Sequence, residues 1–159
     1  MLGQSAPMKR VQVLAVKFKS TGAIGDFSYM KDLEEFRNTL FIFNDNVAHH
    51  TTAITGGGNA VMRQYNKYAL MRPLSAGIPT GINGGFVELN EEVKQIVDDS
   101  ITEIKELIEK HSYDTIVYSA HKQKTINFKG KEEPLLGTSI FHVDEEVLKY
   151  ITAKIYSLQ

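Results

Sequence analysis

Cysteine is missing from all 159 residues, which removes disulfides, thiolate nucleophiles and cysteine-based zinc or iron–sulfur centres together. An excess of either charge is also missing. Lys and Arg number 18 against 19 Asp and Glu, a formal net charge of −1. No global basic field therefore exists to hold a nucleic acid or an anionic membrane, which argues against nucleic acid as the partner. Nor does any run approach the roughly 18–20 apolar residues of a membrane-spanning helix. The first residues, Met1 to Pro7, lack the charged and apolar regions of a signal peptide. They read as part of a tail over 1–8, native or vector-derived, with Met8 as an alternative start. The remaining features fit a cytoplasmic protein. Hydrophobic residues make up 42% and charged residues 23%, an ordinary globular balance, and residues 9–159 are of a length for one domain with its own core.

The pattern along the chain alternates between strands and helices. Val11 to Phe18 is rich in β-branched and apolar residues and reads as a strand, followed by loop over 20–30 and one or two helical turns over Asp32 to Arg37. Thr39 to Phe43 is a short continuous apolar run, as expected of a strand buried on both faces. Asn44, Asp45 and Asn46 then supply turn chemistry. After a loop over Val47 to Thr55, Gly56-Gly57-Gly58-Asn59 leads into a helix start, with Asn59 as a candidate cap. Ser75 to Thr80 is extended, because Pro79 biases Ile78 away from helical angles. Asn90 to His111 is the clearest helix: Val93, Ile96, Val97, Ile101, Ile104, Leu107 and Ile108 share one face, Asn90 is the cap, and Glu91 and Glu92 complement the dipole. Asp114 to Ala120 reads as another buried strand, and 121–134 as a polar hairpin or excursion. Asp144 opens a last helix whose Val147, Leu148, Ile151, Ile155 and Leu158 face the core. This order predicts a layered α/β/α domain with a mixed, largely parallel sheet.

In such sheets ligands bind beyond the carboxyl ends of the strands. Asn44-Asp45-Asn46, Pro79-Thr80, Ser119 to His121 and Gly137-Thr138-Ser139 all fall there, so segments far apart in the chain are expected to meet at one edge. The triple glycine admits two readings. As a helix start it offers unpaired N–H groups to a phosphate with no Cβ in the way, and Arg63 one turn on can reach the same anion; otherwise it is a flexible turn. It is no P-loop, since no Gly-Lys-Ser/Thr follows, and no G-x-G-x-x-G occurs. Asn44, Asp45 and Asn46 either hydrogen-bond ribose hydroxyls or form an Asx turn. His49 and His50 are adjacent, point apart on any regular element, and read as solvated loop residues rather than a metal pair. His121, at a strand end, is the better ligand contact, and His142 belongs to the approach to the last helix. Tyr65, Tyr68 and Phe86 either stack on a base or pack internally. No Ser/His/Asp arrangement with nucleophile-elbow spacing, no paired metal ligands and no cofactor motif is present.

The succession FIFNDN, then GGGNAVMRQYNKYA, then SAGIPTG, with LLGTSIF later, resembles a group of small phage and bacterial proteins of unassigned function. Together these look like distant relatives of macro domains, which bind ADP-ribose and its derivatives. The resemblance covers residues 39–80 well and 114–141 loosely, and leaves 1–38 without a counterpart. It implies that Asn44 and Asn46 lie near the distal ribose. Gly56, Gly57, Gly58 and Asn59 would line the diphosphate and ribose loop, and Gly137, Thr138 and Ser139 the second phosphate loop. The chain departs from the pattern at Gly81, where a Lys is usual, in the fewer glycines of the second loop, and in the insertion of 122–136.

Three functions follow as expectations. The first is binding of ADP-ribose or a related, linear or cyclic, signalling nucleotide, as in a phage anti-defence protein that sequesters an immune signal. The second is an ADP-ribosyl hydrolase or nucleotide phosphodiesterase in which Asp45, His49 or His121 activates water. The third is a protein-interaction module in which the glycines are only a turn and an apolar patch is exposed. Self-association is left open.

Overall fold

The computed structural model describes residues 10–138 and 141–159; the tail over 1–8 and Ser139 lie outside the described residues. A five-stranded sheet is built from β1 (Gln12–Lys17), β2 (Thr39–Asp45), β3 (Ser75–Pro79), β4 (Thr115–Phe128) and β5 (Lys131–Leu136). The first four lie parallel in the order β1-β4-β2-β3, and β5 folds back antiparallel on the second half of β4. Helices cover both faces, giving the layered α/β/α architecture with a mixed, mostly parallel sheet. Among the described residues no helix is long and apolar enough to cross a membrane.

The continuous apolar run of β2 follows from its central place. Leu40 and Ile42 point into the larger core under α2 (Glu91–His111) and α3 (Glu145–Tyr156), while Phe41 and Phe43 join the smaller core on the opposite face. Full burial of each such side chain is worth about 1.5–3 kcal/mol. α2 presents Val93, Val97, Ile101, Ile104 and Leu107 to the sheet, and the Asn90 side chain accepts from the Val93 N–H at its start. Asp144 caps α3 through the Glu146 N–H. Tyr156 from α3 donates to the Tyr118 hydroxyl of β4 at 2.8 Å, while Tyr118 donates to the Pro134 carbonyl of β5.

The smaller face is covered by α1 (Phe27–Met30) and a 3-10 helix over Gly58–Tyr65. α1 lies inside the segment read as loop: Asp26 accepts from the Gly22 and Ser28 N–H groups and fixes the turn that starts it. The glycine-led helix is 3-10 rather than α over its eight residues, long for that form. Three residues per turn aligns Asn59, Met62 and Tyr65 on one side, where Asn59 and Met62 are buried. Asn59 does not cap this helix; Gly57 holds the cap position.

One further reading changes, and another is decided between its two alternatives. Turn chemistry begins at Asn46, not Asn44, because β3 supplies ladder partners for Asn44 (Ile78) and Asp45 (Pro79). The segment after Ala120 is strand and hairpin. β4 continues past a bulge between Ala120 and Thr125, then reverses through Lys129 and Gly130, whose φ angles of 51° and 84° suit a two-residue hairpin turn.

Candidate functional site

The carboxyl ends of the parallel strands open into a cleft because two neighbours separate. β2 and β4 stay paired only to Ile42 and Tyr118. Beyond that point the chain leaving β5 enters the gap: the Gly137 N–H donates to the Ser119 carbonyl at 2.9 Å, and the Asn44 side-chain amide donates to the Gly137 carbonyl at 2.6 Å. Gly137 is required by this close approach, since a Cβ there would sit 2.7 Å from the Ala120 carbonyl oxygen.

The cleft has two lobes. One, about 290 Å³, is walled by Asn46, His49, Thr80, Gly85 and Phe141 among others. The other, about 390 Å³, is walled by Phe18, Asn59, Ser119, His121 and Lys122. Four residues line both and form a waist: Gly57 and Ala60 from the glycine-led helix, Asn44 and Thr138 from the opposing strand end and loop. Gly58 adopts φ +57° directly before the helical Asn59. This left-then-right pair of backbone conformations turns successive N–H groups toward a common concavity. Among the described residues, the Gly57 and Gly58 N–H groups donate to no protein acceptor.

Beneath the smaller lobe lies a network of charged groups. Asp45 Oδ1 accepts from Arg63 Nε (2.9 Å), Arg63 Nη2 (2.7 Å) and the Asn46 N–H (2.8 Å), while Oδ2 faces His50 Nδ1 at 2.7 Å. The side chains of Arg63 and Asp45 are only 4% and 1% exposed. Arg63 Nη1 reaches the Ile54 carbonyl (2.8 Å) and so supports the loop ahead of Gly56. On its other side His50 Nε2 meets Glu103 Oε1 at 2.7 Å, and Glu103 Oε2 meets Lys67 Nζ at 2.9 Å and the Tyr68 hydroxyl at 3.2 Å. β3 passes close enough to need glycine at 77, where a Cβ would lie 2.1 Å from Asp45 Oδ2.

Both ring nitrogens of His50 face carboxylate oxygens, so both donate and the ring is an imidazolium. Burial works against its charge, but the hydrogen bonds and charges of Asp45 and Glu103 outweigh burial and raise its pKa to about 9. Burial likewise works against the Glu103 charge, and hydrogen bonds from His50 and Lys67 overcome it, holding the carboxyl at about 2. A pH profile of stability follows. The contribution of His50 is complete below the ordinary histidine pKa of 6.5 and is lost as pH rises through about 9. At order of magnitude this amounts to about 3 kcal/mol. The contribution of Glu103 is complete above its ordinary 4.5 and is lost as pH falls through about 2. Denaturant titrations between pH 6 and 10 should show stability falling in the alkaline limb for the wild type. That limb should be much shallower in His50→Gln.

The segments expected to converge do so. Asn44, Asn46, Thr80, Ser119, His121 and Thr138 border the cleft, as do the glycines at 56–58 and 137. Pro79 is buried at the end of β3 and lines neither lobe. Several candidates are committed internally. Asp45 and Arg63 satisfy each other. Asn59 gives its amide hydrogens to the Gly25 carbonyl and Ser119 Oγ and accepts the Phe27 N–H, tying the glycine-led helix to α1 and β4. His50 is not solvated as its sequence setting suggests, because the 3-10 turn over Val47–His49 directs it inward. His121 Nδ1 accepts the N–H groups of Gln123 (3.1 Å) and Lys124 (3.0 Å), which leaves Nε2 to carry the proton. Tyr65 and Phe86 pack against the two cores, and Tyr68 faces Glu103, so none of the three offers a ring to the cleft. The aromatic walls are instead Phe18 and Phe141, 37% and 61% exposed. Phe18 continues the inward alternation of Leu14 and Val16 one step past the buried strand, a signal available in the sequence. Nothing local in the sequence marks Glu103 as the partner of His50. Compared with protein-family models, curated proteins and solved structures, the chain matches none.

Proposed function

We propose that the chain binds a nucleotide of the ADP-ribose type, two sugar-bearing halves joined through phosphate, laid across the two lobes with the phosphates at the waist. The observation that carries this reading is the pair of adjoining lobes, which share Gly57 and Ala60 on one side and Asn44 and Thr138 on the other. The lobes together have the size of a small-molecule site, for which ~300–1,000 Å³ is usual. Backbone N–H groups at Gly57 and Gly58 suit an anion, and Phe18 and Phe141 give each lobe an exposed ring for a base or sugar face. The macro-domain resemblance points the same way.

The reading is of binding without turnover, the behaviour of a protein that sequesters a signal. Both carboxylate oxygens of Asp45 are taken by Arg63 and His50, and His121 Nδ1 is taken by backbone donors. Neither is left to accept a proton from water. His49, which lines the smaller lobe, is the imidazole on which a hydrolase reading would rest. A thermal-shift panel of ADP-ribose, cyclic ADP-ribose isomers, NAD and cyclic dinucleotides tests the proposal. A ligand at a hundred times its Kd adds about 2.7 kcal/mol to stability, and chromatography of the recovered ligand should return it intact. An altered ligand, with alteration abolished in His49→Ala, would replace sequestration by hydrolysis. No shift with any of the panel would remove the nucleotide reading in favour of an interaction module.

A further inference from the structure

The two lobes differ in charge. In the smaller lobe the permanently charged wall groups, Asp45 and Arg63, lie 2.7 Å apart and neutralise each other. The larger lobe has Lys122 in its wall and no carboxylate. Lys17 and Lys19 flank Phe18, and Lys17 stands in register with Ala120, another wall residue. All three lysines are exposed, and among the described residues no carboxylate oxygen lies within 4.0 Å of their ammonium groups. Lys124, two residues beyond Lys122, has only the exposed Glu145 at 3.7 Å. Uncharged donors face the same space. His121 carries its proton on Nε2, and Ser119 Oγ, which accepts from Asn59 at 2.9 Å, keeps its own hydrogen to give.

Lys122 lines the larger lobe and not the smaller one, so a bridging phosphate held at Gly57 and Thr138 does not use it. An exposed aromatic ring among lysines suits a nucleoside that is itself anionic. Resting on the nucleotide reading above, we propose that the nucleoside half in the Phe18 lobe carries a phosphomonoester on its ribose, so that the ligand class is a 2′- or 3′-phosphorylated nucleoside diphosphate derivative. A phosphomonoester brings a charge of about −1.5 to −2 near neutral pH, which Lys122 in the wall meets, with the exposed Lys17 and Lys19 next to Phe18 in the chain adding to the local positive field. Because those lysines are exposed, their contribution is screened by salt.

Isothermal titration at low salt with ADP-ribose, ADP-ribose 2′-phosphate and the 3′-phosphate isomer tests this directly. One phosphorylated probe should bind at least tenfold more tightly than ADP-ribose, and its identity distinguishes the two ring positions. The preference should fall to threefold or less in a Lys17→Gln/Lys122→Gln double variant, and should shrink in the wild type as salt is raised. Equal affinities for all three probes would overturn the proposal and leave the nucleotide reading standing. A preference untouched by the double variant would also overturn it, since the lysines would not be its source. Absence of binding by every probe would overturn both.

Discussion

Asp45→Ala should unfold at a markedly lower temperature than the wild type, with a loss of about 3–5 kcal/mol, the range for removing one partner of a buried ion pair. For a domain of this size that corresponds to a Tm roughly 6–20 °C lower. The physical reason is that two cations depend on this one carboxylate. Arg63 contributes both Nε and Nη2 to Oδ1, and His50 contributes Nδ1 to Oδ2, all from positions largely closed to solvent. Alanine leaves both without a counter-charge, and the His50 ring then relies on Glu103 alone. Asp45→Asn, nearly the same in shape, should fall between the two, because its amide keeps one acceptor but offers hydrogens to groups that are already donors. A general base in an open site behaves otherwise: alanine would abolish turnover while the melting curve stayed close to wild type. Differential scanning calorimetry of the three proteins separates these cases, and an unshifted melting curve for Asp45→Ala would contradict the structural role.

The same carboxylate shows where the sequence could be read and where it could not. Period and composition locate the elements whose reason is local: the 3.6-residue face of α2 from Val93 to Leu107, its Asn90 cap, and the unbroken apolar run of β2 between two neighbours. They also locate the strand ends that border the cleft, because a parallel sheet brings those ends together whatever their separation in the chain. What is not legible is how a polar side chain is used once it arrives. Asn44, Asp45 and Asn46 are the same kind of turn-forming residue in sequence, yet one holds Gly137, one neutralises Arg63 and His50, and one caps the turn at Val47. Partners 53 residues apart, as His50 and Glu103 are, leave no local trace. The place of the glycine-led helix is similar, since Asn59 ties it to Gly25, Phe27 and Ser119, the first two more than 30 residues away and the last 60.

Gly57→Glu should lower affinity for the proposed nucleotide ligand by at least a hundredfold while leaving the fold intact, which makes it the sharpest test of where that ligand lies. Gly57 borders both lobes, so a substitution there acts where they adjoin whichever way a ligand is oriented. Its backbone angles, φ −73° and ψ 159°, are open to any L-residue, so the substitution carries no conformational penalty of the kind Gly58 would incur at φ +57°. The new carboxylate acts in two ways, adding bulk where the two lobes adjoin and setting a negative charge where the proposed ligand places its phosphates. A hundredfold change corresponds to about 2.7 kcal/mol, within reach of one unfavourable charge contact in a partly desolvated site. Gly57→Ala, which adds a methyl group and no charge, should lose much less. The ordering Gly, then Ala, then Glu, measured by titration alongside melting curves that stay together, would locate the phosphates at the waist. Equal affinities across the three would place the ligand elsewhere on the molecule, even if the wild type binds it well.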